Sequence, residues 1–170
     1  MKKRILILPA TLLISTLLAW KTHINTSDPK AYFGNYLNQK SFTDMAYRSL
    51  ATLEECRQVF TDSAARIYSQ EMVKMKAAYD TSSTKDATSE TFVDVNYEKF
   101  TTEDVQAGKG NYAGGMNRIK SFLKPGITFY KIEFLREKGA SQGMAYNCWV
   151  LLAGQWVFFP KPWKVLQSKS

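Results

Sequence analysis

The chain has 170 residues, 45% of them apolar and 14% aromatic, with a formal net charge of +8. That is enough apolar material for one domain with a sizeable core and hardly enough for two, which excludes a disordered chain and a multidomain enzyme. Its one histidine, His23, lies outside the segments that read as folded, so catalysis or metal binding through histidine has no basis here.

Lys2, Lys3 and Arg4 precede an uncharged run from Ile5 to Trp20, broken only by Pro9, Thr11, Ser15 and Thr16. A basic start followed by an apolar stretch is the pattern of an export signal. As a helix, this run would reach about 24 Å, short of the roughly 30 Å hydrocarbon core of a bilayer. A cleaved signal peptide over residues 1–20, with export to the periplasm or the medium, is therefore the first expectation. Leu17-Leu18-Ala19 is a poor cleavage site and Lys21 flanks the run, so an inner-membrane anchor through residues 5–20 is the alternative. Residues 21–30, KTHINTSDPK, are polar and aperiodic and read as a tether to a single domain over residues 31–170.

Residues 31–37 fit a short helix with Tyr32, Phe33 and Tyr36 near one face. Thr52 and Glu55 have the spacing of a capping box, which satisfies orphan amides at a helix start, and Leu53, Cys56 and Phe60 then share a face. Thr61 or Asp62 can cap a second helix in which Ala64, Ile67, Tyr68, Met72, Met75 and Tyr79 recur at three- and four-residue spacing. Methionines at that spacing belong to a core rather than to a ligand box. Residues 80–90 hold no large apolar side chain and read as a solvated loop.

The remainder is mainly β. Val93, Val95 and Tyr97 alternate with Asp94, Asn96 and Glu98, the period of a half-buried strand, while residues 101–117 break regularity with four glycines. Residues 127–137 and 143–152 are further strands joined by KGASQ, and Ala153-Gly154-Gln155 turns directly into Trp156–Phe159, so the last three strands make an antiparallel meander. Pro160 and Pro162 end it, because proline cannot donate to a ladder. Helices preceding such a sheet give an α+β domain, with the helices packed on one face of an antiparallel sheet of about four or more strands.

Cys56 and Cys148 would meet an oxidising compartment after export. A disulfide between them would close a loop of about 93 residues and contribute roughly 4.6 kcal/mol by the chain-entropy account. Two buried thiols packing as small hydrophobes fit the sequence equally well.

The order of elements, together with the closing stretch Gly154-Gln155-Trp156-Val157-Phe158-Phe159-Pro160-Lys161-Pro162-Trp163, resembles the nuclear transport factor two-like, or cystatin-like cone, superfamily and its small exported bacterial members. The resemblance spans roughly residues 45–165 and is architectural. It implies helices packed against a strongly curved antiparallel sheet that forms a cone-shaped pocket, which some members use as lyases, isomerases or hydrolases and many use only to bind. Catalytic members place an aspartate or histidine in an apolar cavity, where burial shifts its pKa. No catalytic residue is carried over to this chain.

Other chemistries find little support. Gly108-Lys109-Gly110-Asn111-Tyr112-Ala113-Gly114-Gly115 lacks the Gly-Lys-Ser/Thr ending of a phosphate loop, no nucleophile elbow is present, and two distant cysteines make no zinc site. No metal and no cofactor is implied. Charge is more informative, because residues 21–100 carry ten cations against eleven anions whereas residues 101–170 carry ten against four. Lys109, Arg118, Lys120, Lys124, Lys161 and Lys164 make up a basic surface, suited after export to an anionic lipid, a glycan or an acidic protein rather than to nucleic acid.

These readings converge on an exported, non-catalytic binding or interaction domain of the cell envelope. Its partner would be a small apolar ligand or an envelope protein, and Tyr68, Tyr97, Tyr130, Tyr146 and Trp149 are the candidate pocket aromatics. Both faces of the strand around Tyr130, Ile132 and Phe134 are apolar, so a homodimer through the sheet is also expected. A cone-fold enzyme is the alternative, and it would need Asp94 or Glu133 buried without a cation. An anchored envelope assembly component is a third reading.

Overall fold

The computed structural model describes residues 27–81 and 90–167. The export or anchor segment, most of the tether and residues 82–89 of the expected loop lie outside the described residues.

The domain is α+β. Helix α1 (Pro29–Phe33) starts on an Asp28 cap and runs into a 3-10 turn over Gly34–Tyr36. Helix α2 (Gln39–Arg48) follows, capped by the Asn38 side chain, which accepts from the amides of Lys40 and Ser41. The Thr52–Glu55 capping box forms as its spacing predicts and opens α3 (Leu53–Val59). Leu53 is the exception on that helix, because it is exposed while Cys56 and Val59 are buried. Helix α4 (Asp62–Thr81) begins on an acid that suits the positive end of the helix dipole and buries Ala64, Ala65, Tyr68 and Met72 along one stripe. Thr61 does not cap it, since its hydroxyl is buried without a partner.

Four strands follow, β1 (Asp94–Thr101), β2 (Thr128–Leu135), β3 (Met144–Leu152) and β4 (Gln155–Phe158), in one antiparallel sheet whose spatial order is the chain order. Between β1 and β2 the glycine-rich stretch is more regular than its composition suggests. A second capping box, Thr101 with Asp104, opens α5 (Thr102–Ala107), and Gly108 ends that helix at φ 67°, a left-handed value that glycine adopts without steric cost. Ala153 and Gly154 both take positive φ, as a tight two-residue hairpin turn requires. Past Pro160 the chain forms α6 (Pro162–Leu166).

The helices do not share one face of the sheet, which corrects the single-layer expectation. On one face Val95, Ile132, Phe134, Trp149 and Trp156 pack with Phe33 of α1 and Phe42, Met45 and Ala46 of α2. On the other, Phe100, Phe129, Cys148, Val150 and Val157 pack with Cys56, Val59, Ala64, Tyr68 and Met72 of α3 and α4. Strand β1 serves both cores, through Val95 and then Phe100, so its alternation is not the simple one expected. Val93 and Tyr97 are exposed, at 53% and 43%. A bulge interrupts the pairing of β2 with β3. Tyr130 pairs with Trp149 while Ile132 pairs with Tyr146, so β3 carries one extra residue opposite Lys131. Tyr146 and Trp149 therefore share a face, and Cys148, at φ 67°, turns to the other core.

Helix α6 docks through one close approach. A Cβ on Gly115 would lie 2.3 Å from Cγ of Trp163, whereas one on Gly114 would meet nothing within 4 Å. Gly115→Ala is expected to lower stability by about 1–3 kcal/mol through overpacking, and Gly114→Ala to leave it within about 0.5 kcal/mol. Urea unfolding of the two variants checks the difference.

Candidate functional site

An open groove of about 680 Å³ lies at the corner where α2, α4, the end of β4 and α6 come together. Its volume falls within the roughly 300–1,000 Å³ usual for small-molecule sites. Helix α2 and the residues after it contribute Thr43, Ala46, Tyr47 and Leu50, and α4 contributes Glu71 and Met75. Tyr146 of β3 and Phe158 of β4 extend the apolar lining, and Pro160, Lys161, Lys164 and Val165 form the remaining side. The surface is thus aromatic and aliphatic with charge at its margin, an arrangement suited to holding an apolar body.

Tyr47 is held by a flat stack on Tyr79 of α4, centroids 3.9 Å apart and planes 7° from parallel. The Tyr79 hydroxyl donates in turn to the Asp44 carboxylate. Burial first, and then that hydrogen bond, push the Tyr79 phenol up to about 12, so it stays a neutral donor in ordinary conditions. Tyr146 is also raised, chiefly by burial. At the opposite margin Lys161 sits between two prolines with φ 45° and ψ 55°, a left-handed backbone that a lysine rarely adopts. Glu71, the carboxylate on the lining, is paired with Lys74 at 3.3 Å.

Of the five aromatics expected at a pocket, Tyr146 alone lines this groove. Tyr68 is fully buried and donates from its hydroxyl to the Pro160 carbonyl at 3.1 Å, and Trp149 is fully buried among Phe33, Phe42 and Phe158. Tyr97 lies on the outer strand, and Tyr130 borders a separate hollow of about 260 Å³ with Ile127 and Leu151. Tyr47, Leu50, Met75 and Phe158 are among the lining residues that the sequence does not mark as pocket residues. The signal for the first was the Asn38 cap with Phe42, Met45 and Ala46 at helical spacing, which places Tyr47 on the last turn of α2.

The basic residues divide. Lys161 and Lys164 line the groove. The Arg118 guanidinium donates to the Gln167 side chain at 3.0 Å, and the Lys124 ammonium donates to the Arg57 carbonyl at 2.5 Å in the last turn of α3, where a cation suits the helix dipole. Lys109 and Lys120 are exposed.

Neither carboxylate singled out for acid-base chemistry meets the stated condition. Asp94 is 23% exposed and 3.1 Å from the Lys30 ammonium, and Glu133 is 16% exposed and 3.0 Å from Lys131. The Val95 amide, then Lys30, hold the Asp94 carboxyl below its usual value. Among the described residues no cluster of three or more His, Cys, Asp or Glu side chains is placed to hold a metal, and no helix is long and apolar enough to cross a membrane. Comparisons with known protein families, with characterised proteins and with solved structures found no match.

Cys56 and Cys148 are free thiols, both buried in the same core. Cys148 contacts the Met116 sulfur at 3.7 Å. Burial pushes the Cys56 thiol up to about 12 and raises Cys148 as well. An unfolded cysteine titrates near about 8.5, so from there to about pH 12 the folded state holds a proton that the unfolded state has lost. Stability is therefore expected to fall as pH rises through that window, and Cys56→Ala to flatten the slope in urea titrations. Alkylation at about pH 8 should label neither thiol in the folded protein and both in urea without reductant. Intact mass reads the count, and a failure to label in urea would mean that the two are bonded.

Proposed function

We propose that this chain is an exported, non-catalytic binding domain of the cell envelope, whose ligand lies in the groove between α2, α4 and α6. The observation that carries the proposal is the groove itself, an accessible hollow lined by Tyr47, Leu50, Met75, Tyr146 and Phe158. Export rests on the three basic residues and the apolar run at the amino terminus. A cone-fold relationship belongs to the same proposal and is supported by helices preceding an antiparallel four-strand meander. The enzymatic alternative gains nothing from Asp94 or Glu133, each of which is paired to a lysine outside the groove lining.

A neutral apolar dye tests the reading. N-phenyl-1-naphthylamine fluorescence is expected to rise on titration into the full-length protein and to saturate. Thr43→Trp, at a half-buried position on the groove wall, should fill the hollow and weaken dye binding at least about tenfold, while the circular dichroism melt stays close to that of the parent. Unchanged binding in a folded Thr43→Trp protein would sink the proposal.

A further inference from the structure

The groove is not electrically neutral at its margin, and the way its cation is held points to the ligand's other end. Lys161 lies on the groove wall in a left-handed conformation, φ 45° and ψ 55°, between Pro160 and Pro162. Such a backbone is strained for a residue with a side chain, and glycine would relieve it. The following proline further restricts what the lysine backbone can adopt. The site is pinned on both sides, since the Pro160 carbonyl accepts from the Tyr68 hydroxyl at 3.1 Å and the Lys161 carbonyl accepts from the Lys164 amide at 2.9 Å. A lysine thus occupies a glycine-like position on the wall of an apolar hollow, exposed and without an ion pair among the described residues. Among the described residues of the lining the carboxylate is Glu71, and it is paired with Lys74 at 3.3 Å.

From the aromatic lining and the strained lysine, exposed at the rim without an ion pair among the described residues, we infer that the groove takes a single-chain amphiphile with an anionic head, of the class of long-chain carboxylates. The apolar chain lies against Leu50, Tyr146 and Phe158, and the carboxylate meets Lys161. This rests on the groove-binding proposal above and goes beyond it by naming the ligand's chemistry.

The test is competition against N-phenyl-1-naphthylamine on the full-length protein, with dodecanoate and dodecyltrimethylammonium, two chains of equal length and opposite charge, below their micelle concentrations. Dodecanoate is expected to displace the dye at about tenfold lower concentration, with the margin shrinking as salt is added. Lys161→Gln should cut that preference by about three- to tenfold, the scale of a charged contact at a partly exposed rim. Lys161→Gly should lose as much preference and also unfold at higher urea, because the backbone strain is gone. Equal displacement by the two amphiphiles, or an undiminished preference in either variant, overturns the inference and leaves the groove-binding reading standing. No saturable dye binding in the parent protein overturns both.

Discussion

The constraint behind the architecture is that the four-strand sheet is apolar on both faces, so that a single helical layer would leave one set of aromatic side chains in water. Phe129 and Phe100, stacked 5.3 Å apart, lie on one face, and Ile132, Phe134 and Trp149 lie on the other. Burying a large aromatic contributes on the order of 2–3 kcal/mol, so leaving either set exposed would remove a sizeable part of a typical domain's net stability. The helical half of the chain divides accordingly. Helices α1 and α2 cover the Trp149 face, α3 and α4 cover the Phe129 face, and one short connection at Leu50 and Ala51 carries the chain between them.

That connection passes along the edge of β4 and pairs with it. The Ala51 amide donates to the Phe158 carbonyl at 3.2 Å, and the Phe158 amide donates to the Ser49 carbonyl at 2.7 Å. A strand of only four residues gains a partner on its outer side, and an edge that would otherwise offer unpaired amides is closed. The opposite edge is treated differently. Asp94 folds its own carboxylate onto the Val95 amide and Asp104 caps the Thr101 amide, so both ends of β1 are blunted by side chains rather than covered by chain. Between those ends Tyr97 is the exposed aromatic of the strand.

Local chemistry was legible in the sequence wherever partners lie within one or two turns. The Thr52–Glu55 box, the buried stripe of α4 and the Ala153-Gly154 hairpin all depend on residues a few positions apart, and all form. The same box at Thr101 and Asp104 is masked by the glycines after it, which suggest a loop, and α2 is announced by little more than its Asn38 cap. The sheet's facing was harder. Period-two reading places Tyr146 and Trp149 on opposite faces, and only the bulge, with Cys148 at positive φ, puts them together. The groove was hardest, because Tyr47, Met75, Phe158 and Lys161 come from four elements, and nothing local marks them as neighbours. Aromatic type alone was a poor guide, since Tyr68 and Trp149 share their composition signal with Tyr146 and are wholly buried in cores.

The groove has a place in this architecture that follows from the two-faced sheet. Ala46, Tyr146 and Phe158 belong to or pack against the Trp149 core, whereas Leu50, Met75 and Val165 pack against the Phe129 core. The hollow is the seam where the two helical layers meet past the β4 edge, spanned at one end by the Tyr47–Tyr79 stack and bounded at the other by α6. Two cores built on opposite faces of a sheet share few side chains, so their coupling depends on such bridges. A ligand seated in the seam would touch both at once, and by mass action would stabilise the arrangement in which they are closed against each other, by about 2.7 kcal/mol at a hundredfold excess over its dissociation constant. On this view occupancy of the groove and cohesion of the two layers are linked quantities, and a site at the seam serves the fold as well as the ligand.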